Sequence, residues 1–117
     1  RETFWDPPTI EDLNATRYSG IARDTAYQFN RFGFNITGMD NYYDEEGEKK
    51  YIDKSVIFYY DWEEDKDFNV TPLYQTTLKA LEGFVVAEAI PENRDPSVSD
   101  PDISIVLGDD YDVFLVN

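Results

Sequence analysis

The chain has 117 residues, 41% apolar and 16% aromatic, enough for one domain with its own core and too apolar for a disordered segment. Its 25 acidic residues against 10 basic ones give a net charge of −15, which keeps a protein soluble, repels nucleic acid and anionic membranes, and leaves basic proteins, cations and neutral glycans as partners. Cys and His are absent, which removes disulfides, thiolate nucleophiles, His-based triads and His metal ligands.

Residues 1–8 hold Phe4, Trp5 and the pair Pro7-Pro8. Consecutive prolines enforce an extended path, so this stretch reads as an extended linker ahead of a domain over 9–117. The start at Arg1 without a Met suggests a mature fragment from which a signal or anchor was cut. No apolar run approaches the roughly 20 residues that span a bilayer, so no direct membrane insertion of this fragment is expected.

Residues 9–16 read as a strand, 17–20 as a tight loop and 21–32 as a helix. Ile21, Ala22, Thr25, Ala26 and Phe29 make its apolar stripe. Ser19 is positioned to cap the first turn, and Gly33 to end the helix in a left-handed conformation. Residues 34–37 return as a strand, which completes a βαβ unit. Residues 39–54 read as a charged loop, and Ser55-Val56-Ile57-Phe58-Tyr59-Tyr60 as a β-branched and aromatic strand. An acidic loop over 61–67 follows. Thr71-Pro72 opens a second helix, with Leu73, Tyr74, Thr77, Leu78 and Leu81 as its stripe and Gly83 as its stop. Residues 84–90 and 102–107 read as strands, and 113–116 as a short edge strand. The expected fold is α/β: a single domain, a mixed β-sheet of about five strands and two main helices, in the order β-α-β-β-α-β-β.

Four pieces in this order carry a family resemblance. They are Leu13-Asn14-Ala15-Thr16 at a strand end, Ser19-Gly20-Ile21-Ala22 at a helix start, Phe32-Gly33-Phe34 after that helix, and Val106-Leu107-Gly108-Asp109-Asp110-Tyr111 at the close. With the middle strand over 55–60, they resemble the LytR C-terminal domain family across residues 9–111. Ala15 stands where that family has Gly, and Glu11 and Asp12 interrupt a strand that is usually more apolar. The resemblance implies a bacterial extracytoplasmic cell-envelope module. Such modules lie behind a LytR-CpsA-Psr domain, which transfers glycopolymers to peptidoglycan, or alone behind a membrane anchor. It implies LytR-CpsA-Psr enzymes or cell-wall glycan as partners, and carries over no catalytic residue, cofactor or metal.

Candidate binding residues are Asn14, Thr16, Ser19, Gly20, Trp62, Asp109, Asp110 and Tyr111. Asn14 and Thr16 close the first strand and Gly20 opens the helix, the place where α/β sheets gather ligands and where free N–H groups can hold an anion or a sugar hydroxyl. Asn and Thr also hydrogen-bond their own turns, and that role is the favoured one. Asp109-Asp110-Tyr111 offers a hard-cation site or an acid–base pair, but neighbouring residues on an extended chain point apart. Asp61, Glu63, Asp65 and Asp67 alternate like a calcium loop, yet Lys66 and Pro72 occupy the positions where an EF-hand needs Gly and Glu. Tyr42, Tyr43, Tyr59, Tyr60, Trp62 and Tyr74 are possible sugar platforms; one of Tyr59 and Tyr60 is expected to face the core and the other outward. A non-catalytic envelope module is the reading adopted. The alternatives are a small carboxylate-dependent hydrolase, which needs two carboxylates within about 5–10 Å in a cleft, and a structural spacer without an exposed apolar patch.

Overall fold

The computed structural model describes residues 7–61, 72–93 and 101–111. Trp62, the Thr71 cap, most of the acidic loop and the 113–116 tail lie outside the described residues. The elements are β1 (Ile10–Asn14), α1 (Ile21–Arg31), β2 (Ile36–Asn41), β3 (Val56–Asp61), α2 (Pro72–Val85), β4 (Ala89–Asn93) and β5 (Ile103–Leu107).

Ile103-Ser104-Ile105-Val106-Leu107 is buried along its whole length, because it is the middle strand of a five-stranded sheet ordered β2-β1-β5-β3-β4. Such a strand must be apolar on both faces, and Ser104 is its one polar residue. β1 runs parallel to β2 and β5, β3 runs parallel to β4, and β3 meets β5 antiparallel. Each strand–helix–strand unit therefore makes its own parallel pair, and the last strand joins the two pairs into a mixed sheet.

Both helices cover one face. Phe29 of α1 and Leu78, Leu81 and Val85 of α2 share a core with Ile10, Ile57, Ile103, Ile105 and Leu107. Phe29 and Phe84 stand 6.3 Å apart between the helices. The strand alternation then puts Glu11, Leu13, Phe58, Ser104 and Val106 on the opposite face, which is helix-free among the described residues. The pairings Glu11↔Ser104, Leu13↔Val106, Phe58↔Ser104 and Val56↔Val106 hold these residues in adjacent rows. Tyr59 packs toward the core and its neighbour Tyr60 faces the other way, as the alternation requires.

α1 ends as expected. Gly33 has φ 96°, its N–H donates to Asn30 O, and the Phe34 N–H reaches back to Phe29 O at 3.1 Å. This is the Schellman arrangement, with the Phe29 and Phe34 rings 5.8 Å apart as its apolar contact. Phe34 is thus consumed by the cap, and β2 starts at Ile36 rather than at residue 34 and runs on to Asn41. The helix start differs from expectation. Gly20, at φ 80°, is the N-cap, and no side chain caps the turn, so Ser19 stays exposed and does not cap.

α2 passes through Gly83 and ends at Val85. An interior Gly costs a helix only about 1 kcal/mol, and continuing buries Val85 and seats the Phe84 ring against Phe29, Phe32 and Phe34. The left-handed residue falls on Val86, at φ 55°, an unusual conformation for a β-branched residue that costs roughly 1–2 kcal/mol. The strand expected over 84–90 is displaced toward the C-terminus: β4 starts at Ala89 and runs on to Asn93, through Pro91, which is accommodated on an edge strand. Among the described residues no helix is long and apolar enough to cross a membrane.

Candidate functional site

The signature residues gather where β1 and β5 end, and each is taken up by a neighbour. Asn14 Oδ1 accepts the Thr16 N–H at 2.8 Å and the Thr16 hydroxyl at 2.6 Å, and Asn14 Nδ2 donates to Tyr18 O at 2.7 Å. Asn14 and Thr16 are both buried. Ala15 is buried with its N–H on Leu107 O, and its φ is not positive, so this turn needs no glycine. Asn14 and Thr16 therefore hold their own loop from buried positions.

Asp109 and Asp110 diverge. Asp109 pairs with the Arg17 guanidinium at 2.8 Å on the surface. Asp110 Oδ1 accepts both the N–H and the hydroxyl of Ser55 at 2.8 Å, and the Ser55 hydroxyl oxygen accepts the Gly108 N–H. Gly108 lies so close to the chain before β3 that an added Cβ would sit 2.7 Å from the Lys54 carbonyl carbon and 2.8 Å from Ser55 N. Tyr111 closes the turn through its N–H on Gly108 O and packs on the core. Among the described residues, no three acidic side chains converge as metal ligands.

The segment read as a charged loop is also pinned to this end. Ile52 N–H donates to Ala15 O, and Ile52 O accepts the Asp109 N–H. Lys49 Nζ donates to Thr16 O at 2.8 Å and lies over the Tyr51 ring, as does the Arg17 guanidinium. The tip is a turn in which Asp44 Oδ1 accepts the N–H groups of Glu46 and Glu48.

The helix-free face offers a different environment. A depression of about 290 Å³ lies over the middle of the sheet, lined by Glu11, Leu13, Tyr42, Phe58, Tyr60, Glu92, Ser104 and Val106. Leu13, Phe58 and Val106 give it an apolar floor. A hydrogen-bonded row crosses three strands: the Ser104 hydroxyl donates to Glu11 Oε1 at 2.5 Å, and Tyr60 Oη meets Ser104 Oγ at 2.5 Å. Glu92 stands opposite Tyr60 on β4. Of this set, the sequence alone singled out only Tyr42 and Tyr60. The available signals were the lone Ser104 in an apolar strand and the Glu11/Leu13 alternation against Ile10/Asp12.

Asp12 is the counterpart of Glu11 on the covered face. It is fully buried, neither carboxylate oxygen has a partner, and burial pushes its carboxyl well above the ordinary value of 3.8.

The family described as LytR cell envelope-related transcriptional attenuator, LytR_C, matches residues 9–111. No curated protein and no solved structure matches the chain. The match covers nearly the whole chain and every element of the sheet, so the chain belongs to the LytR_C family of cell-envelope-associated domains.

Proposed function

We propose that this domain is a non-catalytic, extracytoplasmic envelope module. It supports wall glycopolymer attachment or envelope integrity by holding a unit of the wall polymer on its helix-free sheet face. The observation that carries this reading is the depression over β1, β5, β3 and β4, which combines an apolar floor, tyrosine and phenylalanine rings, hydroxyls and two carboxylates in one concave surface. That mixture suits an amphipathic ligand whose apolar face packs on rings while its polar groups are hydrogen-bonded. The strongly negative chain does not suit a phosphate backbone, so the reading is of an envelope role rather than a nucleic-acid one.

A non-catalytic role fits the carboxylate geometry. Glu11 and Glu92 sit three strand spacings apart, about 14 Å between backbones, and Asp109 and Asp110 are committed to different partners. Co-sedimentation with purified peptidoglycan sacculi, with and without attached glycopolymer, tests the reading. Retention at physiological salt that is lost in Tyr60→Phe/Glu92→Gln supports it. Absence of retention on either preparation overturns it.

A further inference from the structure

We infer, resting on the binding role proposed above, that the open-face depression takes a primary ammonium on a short apolar stem, the side-chain amine of a lysine-type diamino acid. Among the described residues, the polar groups lining it are two carboxylates and three hydroxyls, with no Lys, Arg, Asn or Gln. An ammonium is a donor with no acceptor, which matches this acceptor-rich lining, whereas an anion would be repelled. Among the described residues the Glu92 side chain makes no hydrogen bond or ion pair, and Glu11 spends one oxygen on Ser104. Lys50 lies over the Tyr42 ring at 5.8 Å and pairs with neither glutamate, so the charge of each carboxylate stays uncompensated by it, Glu11 as the fixed acceptor and Glu92 as a second negative charge at the far side of the depression.

The remaining lining fits the stem. Leu13, Phe58 and Val106 offer methylene-sized contacts, and the Phe58 and Tyr60 rings line the same depression. The size agrees: about 290 Å³ is at the small end of ligand cavities, suited to one side chain of the polymer unit held on this face. Ser104, 1% exposed, fixes the Glu11 carboxylate from below, and the Tyr60 hydroxyl braces Ser104 in turn. The acceptor is held in place before the ligand arrives, which lowers the ordering cost of binding.

The test is a titration of the chain, followed by its amide NMR signals, with three probes: Nα-acetyl-lysine methylamide, the same compound acetylated on its side-chain amine, and a neutral N-acetylglucosamine disaccharide. The amine probe is expected to move the signals of Glu11, Tyr60 and Ser104. Its affinity should fall roughly tenfold in Glu11→Gln/Glu92→Gln, by loss of charge-assisted hydrogen bonds, and should weaken with added salt. The single variant Glu92→Gln, at an exposed and unpaired position, keeps the test valid if the double variant unfolds. Equal binding of the acetylated probe, unchanged affinity in the variants, or no movement on this face with the amine probe overturns the inference. If a neutral probe alone moves these signals, the amine preference fails and the binding role stands. If no probe does, and sacculus retention ignores the same substitutions, both fail.

Discussion

The carboxyl-end turn and the helix-free sheet face carry similar residue types and use them in opposite ways. At the turn, Asn14, Thr16, Ser55 and Asp110 satisfy one another, and Gly108 exists to let two chain segments touch. On the sheet face, Glu11, Ser104 and Tyr60 also form a row, but it lines a concavity and ends beside an unpaired Glu92. The first region holds the sheet ends and the 42–54 segment together, and the second has polar capacity left over. The polar residues that mark the family are thus mostly architectural, and the two carboxylates of the depression, Glu11 and Glu92, lie outside its signature.

Substitutions at the two regions should separate stability from binding. The largest effect is expected for Gly108→Ala, whose new methyl meets backbone at 2.7 Å. Overpacking against backbone that cannot give should cost about 3 kcal/mol or more, and a denaturant midpoint unchanged from the native chain would remove the close approach from the account. Asn14→Ala should follow at about 2–3 kcal/mol, because it strands the buried Thr16 N–H and removes the amide's bonds to the Thr16 hydroxyl and Tyr18 O. A loss below about 0.5 kcal/mol would mean that water replaces the amide.

Asp12 sharpens the contrast from within β1. A carboxyl held above its unfolded value keeps its proton in the folded chain while the unfolded chain releases it. Its stabilisation is therefore complete below 3.8 and is lost as pH rises toward the folded value. Stability should fall across this window by up to about 1.4 kcal/mol per pH unit from this residue. The remaining acidic residues of a −15 chain add a background of the same sign, so the readout is the difference: Asp12→Asn should flatten the slope as pH rises above 3.8. Identical slopes in the two proteins would show that Asp12 is not the titrating group. The smallest stability change is expected for Glu11→Gln/Glu92→Gln, within about 0.5 kcal/mol for substitutions at the sheet surface. A large destabilisation would make the Glu11–Ser104 bond structural, like those at the turn.

Much of the fold was legible because it is written locally. The apolar stripes of the helices, the Gly33–Phe34 stop and the β-branched run before Tyr60 each specify one element without help from the rest of the chain. Gly83 misled because its helix cost is small beside the burial of Val85 and the aromatic contacts of Phe84. The insertion of β5 between the two parallel pairs follows from sheet pairing, which no local pattern encodes. Its run, apolar but for Ser104, was the local sign that it is buried on both faces. The turn was legible as a structural motif, since Asn14 and Thr16 behave as Asn and Thr do in turns. The depression was not, because it takes residues from four strands and only their register brings them together. Glu11 looked like an interruption of a strand until its neighbours in β5 and β3 were known.

The most direct measurement compares three proteins on the same sacculi at physiological salt: the native chain, Glu11→Gln/Glu92→Gln and Arg17→Ala/Asp109→Ala. The account predicts that the native chain and the turn variant are retained equally and that the sheet-face variant is released. Retention of the sheet-face variant together with release of the turn variant would contradict it, and would place binding at the carboxyl ends of β1 and β5.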